Sequence, residues 1–359
     1  MFSASACATT GTVRTATRAP NSAAQRRHVV GAAFHIVGRP DGSGDAYDAT
    51  LLFDRATAAV RENHCDRAVP DFDRLIHEFP DSRLVPLAYF NRGLCLQAER
   101  RHDDAIASYR EAVARTPERT LHRDAWFRVA VVGETARRPE LVVEATRAIL
   151  ALPALSIVDR VEAYARQAVA LLAQSDRPGA THAAAQASQL APTTESVRAL
   201  EDDTFIAQAR FVVAEVTRLD ASDIAIRVDD PQLEQRVERR VQLVIHSHVQ
   251  FNDAIRVGNP DWAAASGFRL GEMYRDLFNS IVHAETPTDW GPSAVATYRH
   301  RAAGRLRSLL TAALQAWEAT LAMARRNGIA DNDWVRRADH EIDELRQMIL
   351  NDGTPPTGT

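Results

Sequence analysis

Lysine is absent from this sequence, and all 43 of its basic side chains are arginines. Together with 47 acidic residues they leave a net charge of −4. No overall positive field attracts nucleic acid, so we predict no nucleic-acid partner. The simplest reason for the missing lysine is the base composition of the gene, because the arginines are spread over the whole chain. The alternative is selection for bidentate binding of phosphate or carboxylate groups.

Cysteines and long apolar runs are also scarce. The three cysteines, Cys7, Cys65 and Cys95, are far apart and include no Cys-x-x-Cys pair, which excludes a zinc site of ordinary spacing. Cys65 and Cys95 could meet across neighbouring helices, but buried thiols are the simpler interpretation. No apolar run approaches the roughly 18 residues that a membrane-spanning helix requires.

Residue patterns typical of catalysis are missing as well. His246 and His248 are two residues apart on a predicted helix, about 200° around its axis, so they cannot share one metal ion. Asp229 and Asp230 are typical of a helix start, where carboxylates suit the helix dipole. No nucleophile with a base and no glycine-rich phosphate loop is recognisable. We therefore predict no catalytic residues, no metal, no cofactor and no enzymatic activity.

One enzymatic alternative stays open at this point. The long helices predicted in the C-terminal part could enclose a cleft in which Glu215, Arg269 and Glu272 face one another. A site inside a helical bundle generally needs several such inward polar groups.

What the sequence does contain is a repeated pair of helices. In residues 86–119, large and small residues follow the spacing of a tetratricopeptide repeat. They are Tyr89, Gly93, Leu96, Ala105, Tyr109, Ala112 and Pro117. The same order recurs in units that begin near residues 49, 86, 123 and 161, with a period of about 37 instead of the usual 34. We predict an all-α fold, a right-handed αα superhelix with longer, modified helix pairs at its C-terminal end.

The pattern divides the chain into four parts. The first part is rich in Ala, Thr, Ser and Arg without periodicity, which is typical of disorder. Within it, residues 29–37 form an apolar patch that favours a strand or a capping segment. The predicted parts are a disordered tether with this capping segment (1–47), the repeats (48–198), a modified helical-repeat domain (199–350) and a disordered tail (351–359). In the modified domain we expect Asp261 to cap one helix, Asn327-Gly328 to end the next long helix, and Asp331 or Asn332 to cap the last one.

A phenylalanine recurs three residues before the small residue of the first helix in five of six pairs, and the fourth pair has Ala165 at that position. Phe53, Phe90 and Phe127 would form a ladder along the inner surface of the repeats and anchor a bound segment. The predicted partner-binding set adds four neighbours of this ladder, Leu94, Gln97, Val131 and Glu134. The other interpretation is that the phenylalanines are core, as most periodic apolar residues are. Basic and asparagine residues that grip acidic C-terminal peptides are missing from these inner positions, which excludes that class of ligand there.

The C-terminal part resembles a known family at particular residues. They are Trp262–Ala265, Phe268–Tyr274, Ala284–Pro287, Tyr298, Ala319, Ala322–Asn327 and Asp333–Trp334. These are similar to the C-terminal half of large tetratricopeptide proteins of myxobacteria and related delta-proteobacteria, over roughly residues 48–346. Some members belong to the gliding-motility machinery in the periplasm or on the outer membrane. The repeats are also similar to periplasmic tetratricopeptide proteins that assist outer-membrane assembly and the Tol–Pal system.

This resemblance implies a non-enzymatic scaffold in a bacterial cell-envelope complex, binding a protein or peptide segment along its concave face. The small residues around Cys7 resemble the end of a lipoprotein signal, although no charged and apolar segment precedes them. Lipidation of Cys7 would then be the one link to a membrane, and the protein would be periplasmic or outer-membrane-associated. The alternative is a cytosolic adaptor that binds or modulates an enzyme.

Overall fold

The computed structural model describes residues 34–38, 44–190, 204–329 and 332–351. Cys7, the predicted tether and the predicted tail lie outside these residues. By its internal contacts the chain divides into two compact units, one ending at Leu155 and the other beginning at Ser156. The sequence had instead suggested a boundary near residue 198, after the fourth helix pair.

The first unit contains a β-hairpin followed by three helix pairs. Strands β1 and β2 pair in antiparallel register, with Phe34 opposite Asp48. Successive helices pack on one another from α1 to α6. The elements are β1 (Phe34–Gly38), β2 (Gly44–Asp48), α1 (Ala49–Arg61), α2 (Cys65–Glu78), α3 (Val85–Ala98), α4 (His102–Ala114), α5 (Arg119–Thr135) and α6 (Pro139–Leu150).

The second unit contains longer helices. Those of the first unit have 12 to 17 residues, whereas α10 and α11 have 23 each and α12 has 36. The elements are α7 (Ile157–Ala173), α8 (Arg177–Leu190), α9 (Thr204–Ser222), α10 (Leu233–Ile255), α11 (Pro260–Val282), α12 (Pro292–Asn327) and α13 (Asp333–Asn351). The predicted all-α fold of helix pairs that lengthen toward the C-terminus is thus confirmed.

The turn inside each of the first four pairs has the same backbone form. Asn63, Arg100, Arg137 and Ser175 have left-handed conformations, with φ between 57° and 65°. The amide after each of them donates to a carbonyl five residues earlier, as from Arg101 N to Leu96 O at 2.9 Å. This closes the last turn of the first helix and reverses the chain. The recurrence of the turn along the chain confirms the repeat in the backbone itself.

In two of the helix pairs, a glycine on one helix lies against an aromatic ring on the other. In the first unit, Gly93 on α3 lies against the ring of Tyr109 on α4, and Phe90 packs on that ring with centroids 5.7 Å apart. The Tyr109 hydroxyl donates to Gln97 Oε1 at 2.8 Å, and burial raises the pKa of the phenol. In the second unit, Gly271 on α11 similarly receives the indole of Trp317 on α12. A small residue thus lets the two backbones approach.

The β-hairpin is attached to the helices through Tyr47. Its ring meets Phe79 edge-on at 6.3 Å, and its hydroxyl donates to Glu78 Oε2 at 2.6 Å. The guanidinium of Arg74 lies 4.1 Å from the ring centroid. The strand expected within residues 29–37 is present from Phe34 onward.

In the second unit, one observed helix cap differs from the predicted one and two helix ends agree with the prediction. Asn259, and not the expected Asp261, caps α11 by accepting from Trp262 N at 3.1 Å. Asp261 instead accepts from Asn332 Nδ2 at 2.7 Å. Asn332 caps α13, as expected, by accepting from Trp334 N. Gly328 stops α12 in a left-handed conformation, which confirms the predicted end.

Cys65 and Cys95 form a disulfide, with Cα atoms 5.2 Å apart. The interpretation of both as free thiols is therefore wrong. Stacking of the second helix pair on the first places the start of α2 beside α3, which spacing in the sequence could not show. The Cα separation suits a disulfide. The bond closes a loop across two helix pairs and restricts the unfolded chain.

We expect Gly93→Ala to destabilise the first unit by about 1–3 kcal/mol, because the new Cβ would lie 2.7 Å from Tyr109 Cε1 in a packed core. Urea denaturation followed by circular dichroism measures the change. Gly304→Ala is the matched control, because a Cβ there meets no atom within 4 Å. Equal effects of the two substitutions would contradict the proposed role of close packing.

Candidate functional site

The three phenylalanines of the predicted ladder differ in burial. Phe53 and Phe90 are only 1% and 2% exposed, so they belong to the core and do not line an open groove. Phe53 packs on Phe72 of α2, and Phe90 packs on Tyr109. Neither ring reaches solvent, because each is directed between the two helices of its own pair. The core interpretation is correct for these two residues.

The other five residues of the predicted set are partly exposed. Leu94 and Gln97 lie on α3, and Phe127, Val131 and Glu134 lie on α5. Residues four and three positions apart share one face of a helix, so each helix presents its members side by side. We call these five residues the helix-A surface. Their role in binding stays a prediction.

The helix-A surface is apolar at one end and polar at the other. Leu94, Phe127 and Val131 supply partly exposed apolar area, and Gln97 and Glu134 lie one turn further along their helices. Gln97 is oriented by the hydroxyl of the buried Tyr109. A surface of this composition can bury the apolar side of a peptide and hydrogen-bond its polar groups.

The three residues of the enzymatic alternative do meet, inside the second unit. Glu215 on α9 is 1% exposed and accepts from Arg218 Nε at 2.7 Å and Nη2 at 2.9 Å. Arg269 Nε on α11 lies 3.2 Å from Glu215 Oε1, and Arg269 also pairs with Glu272. Arg337 on α13 extends the network to Glu272 at 3.5 Å. Three helices, α9, α11 and α13, contribute to it.

The arrangement of this network favours a structural role. Each carboxylate is already paired with at least one arginine, so neither is available as a general base in this geometry. Burial is the largest single influence on Arg218 and opposes its charge, but the hydrogen bonds to Glu215 and the charges of Glu215, Glu272 and Asp276 together raise the pKa of the guanidinium. The guanidinium of Arg337 lies 4.2 Å from the centroid of the Phe268 ring, which adds a cation–π contact. Charges paired in this way join three helices in one register.

The two histidines singled out in the sequence have separate partners. His248 Nδ1 lies 2.8 Å from the hydroxyl of Tyr274, and its Nε2 lies 2.9 Å from Asn252 Nδ2. His246 lies beside Gln250 instead. Burial lowers the pKa of His248, which favours the neutral ring. Among the described residues, no group of three or more His, Cys, Asp or Glu side chains is placed to hold a metal ion.

Within the described part of the chain, none of the helices combines the length and the apolar character needed to cross a bilayer.

Comparison with known proteins supports the repeat assignment. Residues 53–120 match the family model of a tetratricopeptide repeat. No curated protein matches the chain. The match covers the first two helix pairs almost completely, and the following pairs continue its turn geometry. Tetratricopeptide repeats bind protein or peptide segments, so this part of the chain is a protein-interaction scaffold.

Two solved structures are among those that match this chain at low identity. A tetratricopeptide repeat protein from Parabacteroides merdae has 12% identity and a TM-score of 0.39, over 84% of this chain and 99% of its own. A TPR repeats protein from Bacteroides fragilis has 8% identity and a TM-score of 0.28, again over 84% of this chain and 99% of its own.

We expect Glu215→Gln to lower the free energy of unfolding by about 3–5 kcal/mol, because it leaves Arg218 and Arg269 buried without their shared carboxylate. Chemical denaturation gives the value. Glu318→Gln is the matched control in the same unit, because Glu318 pairs with Arg346 on the surface at 2.7 Å and should contribute less than about 1 kcal/mol. A similar loss in both variants would show that the network has no special structural role.

Proposed function

We propose that this protein is a non-enzymatic scaffold in a bacterial cell-envelope complex. It holds a segment of a partner protein on the helix-A surface. The observation that carries the proposal is the set of partly exposed apolar residues on α3 and α5, in a region that matches a tetratricopeptide repeat. The turns of the first four pairs repeat with little variation, so the two helices present this surface in a regular order.

The disulfide supports the envelope as the compartment. Disulfides persist in oxidising environments such as the periplasm and are rare in the cytosol. The Cys65–Cys95 bond joins two packed helices and lies in a structural position, with Cys95 1% exposed. A buried structural bond of this kind suits a protein that folds after export. Lipidation of Cys7 and a role in motility, which the family resemblance implies, remain finer parts of the same proposal.

The first test concerns the partner. Leu94→Ser with Val131→Ser removes apolar area from the helix-A surface and should reduce partner recovery at least about tenfold, since central apolar contacts dominate binding. Cross-linking in native membranes followed by quantitative mass spectrometry measures recovery. Leu51→Ser with Val158→Ser is the matched control, because these side chains are 48% and 46% exposed elsewhere. Unchanged recovery with the first variant, at unchanged helical content, would exclude this surface.

The second test concerns the compartment. In the source cells, alkylation of thiols before lysis should leave Cys65 and Cys95 unmodified until a reductant is added. Peptide mass spectrometry reads the modification state of each cysteine. Full alkylation of both residues without reductant would contradict an oxidising compartment and favour the cytosolic adaptor that regulates an enzyme.

A further inference from the structure

The first half of α12 carries positive charge that no neighbouring carboxylate balances. Between Asp289 and Glu318 the chain contains no acidic residue, although acidic residues outnumber basic ones overall. This stretch contains Arg299, Arg301, Arg305 and Arg307, all exposed and none in an ion pair within the described residues. Toward the other end of the helix the pattern changes, since Glu318 pairs with Arg346 of α13.

One face of this half-helix is packed and the opposite face is open. Tyr298 donates from its hydroxyl to the carbonyl of Ile281 at the end of α11, and Leu310 is 3% exposed. Beside the arginines, the open face presents small side chains at spacings of seven, four and three residues, which places them near one line along the helix. We call this line the α12 seam; its exposed members are Thr297, Gly304, Ser308 and Thr311. His300 and Arg301 occupy the turn between the first two of them.

Gly304 is the member of the α12 seam whose small size no contact within the described chain explains. A glycine inside an exposed helix costs about 1 kcal/mol relative to alanine. Gly93, Gly267 and Gly271 have a reason within the chain, because Tyr109, Thr320 and Trp317 occupy the space that a Cβ would need. A Cβ at Gly304 would meet no atom within 4 Å. One role of glycine is to allow close approach of a backbone to another group, and within the described residues no group approaches Gly304.

We propose that the α12 seam binds an acidic helical segment of a partner protein. The small residues allow a second helix to approach closely, and the flanking arginines pair with its carboxylates. An anionic bilayer is a poorer fit, because helices that lie on membranes insert large apolar side chains. The exposed large hydrophobic residues of the described chain are all on other helices. This surface is separate from the helix-A surface, so the two proposals stand independently.

The charge requirement is tested with the full chain and a fluorescent helical peptide of about 20 residues, matching about 30 Å of helix. The peptide has Ala along one face and Glu on both sides of it. Arg301→Gln, Arg305→Gln and Arg307→Gln together should weaken binding about tenfold. Glutamine keeps the helix propensity of arginine. Arg61→Gln, Arg67→Gln and Arg83→Gln form the matched control, since they make the same change in net charge at exposed, unpaired sites of the first unit.

The steric requirement is tested without changing charge. Gly304→Leu should block the α12 seam and weaken binding of the same peptide about tenfold, and Gly304→Ala, which adds one methyl group at the same place, should weaken it by a smaller factor. Normal binding by the leucine variant would overturn the proposal, because only diffuse attraction would remain. Equal weakening by the two arginine triples would overturn it as well. So would binding to phosphatidylglycerol vesicles without binding to the peptide, which would assign the surface to a membrane.

Discussion

The close approach of two paired helices is the constraint on which the rest of this structure depends. It requires a residue without a large side chain beneath an aromatic ring, as Gly93 lies beneath Tyr109 and Gly271 beneath Trp317. Where an aromatic ring lies over the small residue, the two helices pack tightly against each other. The next helix pair then packs on one face of the pair they form. The residues left at the edges of such pairs, among them Leu94 and Val131, then become a partly exposed surface. The candidate binding site is therefore a consequence of how the core is filled.

The two units are stabilised by different kinds of interaction. The first unit has short helices, apolar contacts between pairs and a disulfide between α2 and α3. The second has long helices joined by a buried network of arginines and carboxylates around Glu215. Such a network is weak evidence for added stability, because desolvation offsets most of the attraction. Its directional hydrogen bonds do, however, select one register among long helices that could otherwise slide.

Several details could be predicted from local sequence alone. The repeat boundaries, the end of α12 at Gly328 and the cap at Asn332 follow from short-range rules of helix formation. The cap of α11 could not be assigned so easily, because Asn259 and Asp261 both suit that role. The structure decides for Asn259, since Asp261 is engaged by Asn332 from a distant part of the chain. The sequence also contains a sign of the positively charged surface on α12. It is a stretch without acidic residues and not a high density of arginine.

The formation of helix pairs could be predicted from the sequence alone, because the order of large and small residues governs packing within a few turns of helix. The sequence also determined which positions are apolar. Which apolar positions face the core and which face solvent depends on the tertiary structure. Phe90 and Phe127, for example, occupy equivalent positions in their repeats and yet differ in burial. The Cys65–Cys95 bond and the ion-pair network around Glu215 also depend on the tertiary structure. Both depend on distances between helices that only the packing of side chains sets.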